Sequence, residues 1–135
     1  MESTIPIINT NDVITSEELM YNSTGKFSDN DELAGLVAIN LNVDILLILT
    51  DVDGLYTKDP SKDRDAIFIP EVKRITDDIM GMASKDGNSM GRGGMHSKVI
   101  AAKDVGKHGI ITIVANGKYN IPKILIGDVK RTIFG

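Results

Sequence analysis

The feature that most constrains this chain is an uninterrupted apolar run, from Ile45 to Leu49, that ends in a polar turn. Five consecutive apolar residues predict a strand buried on both faces, as in a parallel sheet covered by helices. Thr50-Asp51 follows the run directly, the chain turns at Asp53-Gly54, and the segment ends at Asp59-Pro60. Open α/β sheets bind ligands beyond the carboxyl ends of their strands. The segment therefore predicts an α/β fold with a ligand site after this strand.

Predicted strands and helices alternate along the rest of the chain, a pattern that favours a mainly parallel sheet with helices on both faces. Thr76 or Asp77 is expected to cap the second helix, and Met95, Val99, Ala102 and Val105 form the inward stripe of the third. The predicted strands are 4–8, 45–49, 67–69, 110–115 and 132–134, and the predicted helices are 31–42, 77–83, 95–107 and 121–126.

Composition excludes several classes of protein. The length of 135 residues suits about one domain, and a net charge of −4 offers no basic surface for nucleic acid. The absence of cysteine excludes disulfides, thiolate metal sites and cysteine nucleophiles. No apolar span approaches the ~20 residues of a membrane helix, and the N-terminus lacks a secretion signal. We therefore expect a cytoplasmic protein with no membrane partner.

The strongest chemical signal is the glycine-rich stretch from Ser89 to Lys98. Gly91, Gly93 and Gly94 allow backbone N–H groups to converge on an anion, and the helix that follows adds its positive end. Lys98 lies in the first turn, where a cation is unfavourable for the helix dipole, so its position is easier to understand if it faces a phosphate. The alternative is a surface loop with a solvated lysine.

Two polar clusters are less specific. Asn9-Thr10-Asn11-Asp12 follows the first predicted strand, and taken alone it is best explained as a plain turn. Asp29 and Glu32 fit a capping box at the start of the first helix. Asn30 between them offers a donor and an acceptor, which suit the ammonium and carboxylate of an amino acid. Asp51-x-Asp53-Gly54 starts like a calcium loop but lacks the later ligands, so no metal ligand is assigned.

Taken together and in this order, the motifs resemble the amino acid kinase superfamily and, within it, the glutamate 5-kinase family. Thr50 to Pro60 is similar to the superfamily pattern T-D-x-D/x-G-[LVI]-Y-T-x-D-P, which does not separate glutamate, aspartate and uridylate kinases. Pro6 to Asp12 is similar to the family's P-I-I-N-E-N-D, although Thr10 replaces Glu. Asp29-Asn30-Asp31 matches D-N-D, and Gly93-Gly94-Met95-x-x-Lys98 matches G-G-M-x-x-K.

The resemblance implies transfer of the γ-phosphoryl group of ATP, with Mg²⁺, to the side-chain carboxylate of L-glutamate, the first step of proline biosynthesis. It implies that Lys98 is catalytic and that the site residues fall into three groups. Glutamate is contacted by Asp12, Asn30 and Asp31; the nucleotide by Thr50 and Asp51; and the ATP phosphates by Arg92, Gly93, Gly94, Met95, His96, Ser97 and Lys98.

The resemblance also implies that residues 1–135 are the C-terminal, nucleotide-binding portion of a kinase domain. The family's N-terminal half and its C-terminal RNA-binding-like domain have no counterpart here. We therefore expect exposed apolar sheet edges and an isolated chain that is inactive; a homo-oligomer is plausible. Arg92 in place of Thr is closer to the kinase domain of bifunctional pyrroline-5-carboxylate synthases. The alternatives are an aspartate or uridylate kinase, or a non-catalytic nucleotide-binding half-domain.

Overall fold

The computed structural model describes residues 4–8, 30–84 and 94–135. Each helix lies within one residue of its predicted ends, and so do three of the strands. Across the described residues, no helix is long and apolar enough to cross a membrane. The helices are α1 (Asn30–Leu41), α2 (Asp77–Ser84), α3 (Met95–Gly106) and α4 (Ile121–Ile126), and the strands are β1 (Ile45–Thr50), β2 (Glu71–Val72), β3 (Ile111–Asn116) and β4 (Arg131–Phe134).

The described strands form one sheet in the order β1-β3-β4-β2. β1 is parallel to β3, and β2 is parallel to β4, whereas β3 and β4 are antiparallel. The predicted mainly parallel sheet is therefore confirmed, with one antiparallel pair at its centre. The register of β1 and β3 places Thr50 opposite Asn116, so both strands end at the same edge of the sheet.

Helices cover both faces of the sheet, as predicted. Ile48 and Val114 pack with α2 and α3 on one face, while Leu47 and Ile113 pack with Ile124 of α4 on the other. Successive side chains of a strand point to opposite faces, which explains this division. The predicted inward stripe of α3 is confirmed, because all four of its residues are buried. Thr76 caps α2, since its hydroxyl accepts a hydrogen bond from the backbone N–H of Ile79.

Two predicted strands are wrong. Residues 4–8 form no strand, and Ile5 and Ile7 are 89% and 98% exposed, because no described strand pairs with them. The strand expected at 67–69 is a single bridge between Phe68 and Tyr56. Its backbone-to-backbone hydrogen bonds run to the loop after β1 instead of to a strand of the sheet, with Ile69 N–H donating to the carbonyl of Leu55. Pairing with β4 begins only at β2.

The prediction that β1 is buried on both faces is also wrong. Only Ile48 of this strand is buried, and Ile45 and Leu49 are each 45% exposed. The physical reason is that β1 lies at the edge of the described sheet, with β3 as its one neighbour. The exposed apolar sheet edge that the family resemblance led us to expect is therefore present.

Thr132 of β4 joins three segments of the chain through one hydroxyl. Its Oγ1 accepts a hydrogen bond from the backbone N–H of Leu55 (2.8 Å) and donates one to the carbonyl of Ile69 (2.7 Å). The isosteric change Thr132→Val leaves the buried N–H of Leu55 and the part-buried carbonyl of Ile69 without this partner. We expect the free energy of unfolding to fall by about 2 to 4 kcal/mol, measured by urea denaturation.

Thr112 of β3 supplies the matched control. It is as fully buried as Thr132, but its hydroxyl has no hydrogen-bond partner among the described residues. Thr112→Val should therefore leave the free energy of unfolding unchanged or raise it, because a buried hydroxyl without a hydrogen-bond partner costs free energy and valine removes that cost. Equal losses of stability for the two variants would contradict the role given to the Thr132 hydroxyl.

Candidate active site

The candidate site lies at the edge of the sheet where β1 and β3 end. A tight turn separates α1 from β1, with Asn42 at φ +49°, and another separates α3 from β3, with Gly109 at φ +75°. Each helix therefore runs back along the strand that follows it, and both helices begin near the carboxyl ends of these strands. Such edges, with helix N-termini beside them, are where α/β folds hold ligands and anions.

Asp31 and Lys98 form an ion pair between the first turns of α1 and α3. The Nζ atom of Lys98 lies 2.9 Å from Oδ2 of Asp31, and the two side chains are 8% and 13% exposed. Ser97 donates a hydrogen bond to the same carboxylate oxygen at 2.7 Å. Two motifs that the sequence analysis singled out independently, D-N-D and G-G-M-x-x-K, thus meet in space.

The ion pair explains why Lys98 can lie in the first turn of a helix, which the sequence analysis left open. A cation in the first turn of a helix is unfavourable for the helix dipole. Asp31 supplies the compensating negative charge from within the chain, so Lys98 needs no phosphate to account for its position. The solvated lysine considered as an alternative is wrong, since Lys98 is buried.

Thr50 and Asp51 lie at the end of β1, and Asn116 lies beside them at the end of β3. The hydroxyl of Thr50 donates to Oδ1 of Asp51 at 3.1 Å. Asn116 donates from Nδ2 to the backbone carbonyl of Asp51 at 2.9 Å, and Gly117 N–H donates to the carbonyl of Thr50 at 2.8 Å. The loops after the two strands are therefore bonded to each other.

A second ion pair joins the same two loops. Lys118 Nζ lies 3.3 Å from Oδ1 of Asp53 and 4.8 Å from the centre of the Tyr119 ring. The pKa of Lys118 is raised, mainly by its hydrogen bond with the Tyr119 side chain and next by Asp53. Lys118 is therefore a fixed positive charge at neutral pH.

The remaining predicted site residues differ in position. Gly94 is exposed and lies at the N-terminal cap of α3, whereas the side chain of Met95 is buried in the core. His96 and Ser97 are half-buried, and Asn30 is the first residue of α1. Asp12, Arg92 and Gly93 lie outside the described residues, so their predicted roles stay predictions. Within ranges 4–8, 30–84 and 94–135, no three acidic or histidine side chains gather as a metal site.

Sequence reasoning missed Asn116, Asp53 and Lys118 as residues of this edge. The signal for Asn116 was present, since Asn116 and Gly117 directly follow the strand predicted over 110–115, and asparagine with glycine is typical of a turn. Pairing β1 with β3 is what carries that turn to Thr50-Asp51, and pairing cannot be deduced from either segment alone. Asp53 and Lys118 are far apart in sequence and meet for the same reason.

Comparison with known proteins identifies relatives that match most of the chain. The family model described as the amino acid kinase family matches residues 1–116. The chain is 42% identical over 132 residues to glutamate 5-kinase 1 from Pseudoalteromonas translucida, which covers 96% of this chain and 34% of that protein. The chain thus spans about a third of the length of the curated relatives it matches.

Solved structures give the same result for the fold. The chain is similar to uridylate kinase from Archaeoglobus fulgidus, with a TM-score of 0.56 and 26% identity over 78% of this chain and 46% of that one. It is also similar to carbamate kinase from Giardia lamblia bound to AMP-PNP, with a TM-score of 0.52 and 27% identity over 75% and 30% of the two chains. The predicted amino acid kinase fold is confirmed, and the chain belongs to the amino acid kinase family.

Proposed function

We propose that this chain forms the nucleotide-binding part of a kinase that transfers the γ-phosphoryl group of ATP to the side-chain carboxylate of L-glutamate. The product is glutamyl 5-phosphate, the first intermediate of proline biosynthesis. The observation that carries the proposal is the Asp31–Lys98 ion pair, because it joins the two motifs expected to hold glutamate and the phosphates. Relatives named glutamate 5-kinase, about 40% identical to this chain, support the choice of substrate.

Lys98 supplies the charge that the reaction needs. Phosphoryl transfer is catalysed mainly by positioning and by neutralising charge on the transferring group. A buried lysine at the N-terminus of α3 acts in a medium of lower dielectric than water, where its attraction for a phosphate oxygen is stronger. Asp31 holds the Lys98 ammonium in position before ATP arrives, and Ser97 donates a hydrogen bond that fixes Asp31.

The chemical step itself needs no general base from the chain. The glutamate carboxylate is ionised at neutral pH, and one of its oxygens attacks the γ-phosphorus of ATP. The bond from that phosphorus to the β–γ bridging oxygen breaks, and ADP leaves with the electron pair. Mg²⁺ would be held by the ATP phosphates and would neutralise part of their negative charge. Asn30 and Asp12 complete the pocket for the amino acid, and Thr50 with Asp51 contacts the nucleotide.

The chain works, in this proposal, as one portion of a larger kinase domain. An apolar groove of about 410 Å³ lies between residues 6–8, α1 and the open edge of β1. It continues the exposed apolar surface of β1, whose backbone can accept a further strand at this edge. The groove is lined by Pro6, Ile8, Leu33, Val37, Leu41 and Ile45, among others.

Complementation tests this proposal directly. We expect this chain with MgATP and L-glutamate to form little glutamyl phosphate, trapped as its hydroxamate. We expect clear product once the segment that precedes the matched region of the Pseudoalteromonas relative is added as a second polypeptide. The reason is that the second polypeptide covers the edge of β1 and supplies the rest of the substrate pocket.

Two surface variants control for the docking site. Leu41 and Ile67 are 66% and 67% exposed, but only Leu41 lines the groove. Leu41→Asp should abolish complementation without altering the isolated chain, and Ile67→Asp should retain it. Robust product from this chain alone would overturn the proposal that it needs a second portion.

The choice of substrate is tested in the same mixtures. L-aspartate and UMP replace L-glutamate in parallel samples, and ADP release is measured. Release with aspartate or UMP but not glutamate identifies the substrate of another family branch. Binding of AMP-PNP with no turnover of any substrate in the complemented sample favours a nucleotide-binding half-domain without catalysis.

A further inference from the structure

We propose that Asn116 is a positioning residue for the nucleotide site: its side chain holds the backbone of Asp51 in the place where Asp51 meets the nucleotide. The inference rests on the proposed function, because it takes from it the contact between Asp51 and ATP. Nothing in the sequence motifs assigns Asn116 a role beyond ending a strand.

The side chain of Asn116 is buried beside the end of β1, next to the candidate site. It is only 9% exposed, and it stands opposite Thr50 in the parallel register of β1 and β3. A buried amide costs free energy unless both its donor and its acceptor are used. Asn116 uses both ends within this edge of the sheet.

The two ends of the amide bond two different loops. Nδ2 donates to the carbonyl of Asp51 (2.9 Å), in the loop after β1. Oδ1 accepts from the backbone N–H of Lys118 (3.0 Å), in the loop after β3. The Asn116 side chain thus fixes the peptide group between Asp51 and Val52. It also stabilises the turn that follows Asn116 itself.

The Asp53–Lys118 ion pair reinforces the same connection further from the strands. Lys118 is half-exposed and Asp53 is largely shielded, so the ion pair alone contributes little stability. Its effect is geometric, because it keeps the two loops at a fixed separation. Asn116 provides the inner, solvent-protected contact between the loops, and we expect it to matter more.

The chemistry of asparagine allows the two hydrogen bonds to be separated. Asn116→Ala removes both. Asn116→Asp keeps an oxygen that accepts from Lys118 N–H, but it places a second acceptor opposite the Asp51 carbonyl where a donor is required. A residue that only stabilises its own turn tolerates aspartate, whereas a residue that positions Asp51 does not.

The test is the affinity of this chain for AMP-PNP with Mg²⁺, measured by isothermal titration, together with thermal unfolding of each variant. We expect both Asn116 variants to weaken binding about tenfold, at a temperature where each variant is fully folded. Hydrogen exchange of the Lys118 amide, which donates to Oδ1 of Asn116, should remain slow in Asn116→Asp and become faster in Asn116→Ala.

Asn120 provides the matched controls. It is exposed, lies in the same loop and makes no side-chain capping hydrogen bond. Asn120→Ala controls for loss of an amide, and Asn120→Asp controls for an added negative charge in this loop. Both should bind AMP-PNP within about twofold of the unaltered chain, because the exposed side chain of Asn120 takes no part in the hydrogen bond from Asn116 to the Asp51 carbonyl.

The possible outcomes distinguish a failure of the role proposed for Asn116 from a failure of the proposed nucleotide site. If the unaltered chain and Asn116→Asp bind AMP-PNP with equal affinity, Asn116 does not position Asp51. The proposed nucleotide site is unaffected by that result. A loss of affinity in Asn120→Asp as large as that in Asn116→Asp also overturns the positioning role, since charge then explains the effect. No binding of AMP-PNP by the unaltered chain overturns the proposed nucleotide site, and the inference falls with it.

Discussion

Replacing Lys98 with Met is expected to lower glutamyl phosphate formation in the complemented kinase at least about 100-fold. The change removes the lysine cation from the first turn of α3, and it leaves the Asp31 carboxylate without its lysine partner where the proposed function places the phosphates. Both effects oppose the build-up of negative charge in the transition state. The measurement is hydroxamate formation at saturating ATP and glutamate.

A fall in stability must be separated from this loss of activity. Removing one member of a shielded ion pair costs about 3 kcal/mol, because the other charge is left uncompensated. The double variant Asp31→Asn with Lys98→Met removes both charges, and we expect it to recover stability but not activity. Thermal unfolding and the kinase assay on the same samples distinguish the two effects.

Lys107→Met is the matched control for Lys98→Met. Lys107 follows the last residue of the same helix, is largely exposed and pairs with Asp104 on the surface. Exposed pairs of this kind contribute little stability, so this variant should retain activity and folding. If Lys98→Met retained activity within twofold of the unaltered kinase, Lys98 could not be the residue that neutralises the transferring phosphoryl group.

Replacing Gly54 with Ala is expected to lower the free energy of unfolding by at least about 3 kcal/mol. Gly54 has φ +148°, a conformation that residues with a Cβ rarely adopt. A Cβ built there lies 2.4 Å from Oγ1 of Thr132 and 3.0 Å from its backbone nitrogen. The hydroxyl cannot move away freely, because it bonds Leu55 and Ile69.

Gly81→Ala is the control for this prediction. Gly81 lies inside α2, and nothing stands within 4 Å of its ideal Cβ. Alanine favours the helix over glycine, so the free energy of unfolding should rise by about 0.5 to 1 kcal/mol. Urea denaturation followed by circular dichroism measures both variants. A Gly54→Ala chain as stable as Gly81→Ala would contradict the packing described around Thr132.

Local sequence patterns were enough to predict the helices of this fold. The stripe of Met95, Val99, Ala102 and Val105 predicted both the extent of α3 and its buried face. This works because helix period, capping and turn residues act over a few neighbouring residues. The same patterns were wrong for 4–8 and 67–69, because an apolar, β-branched segment becomes a strand only when another strand pairs with it.

The motifs alone determined the family and most of the candidate site, since Thr50-Asp51 and Gly94 to Lys98 can be read directly from the chain. Tertiary structure alone decided that Lys98 pairs with Asp31, and that Asn116 reaches Asp51. The partners in these contacts are 67 and 65 positions apart. Sequence patterns report what a segment prefers, whereas contacts at such separations depend on how helices and strands pack together.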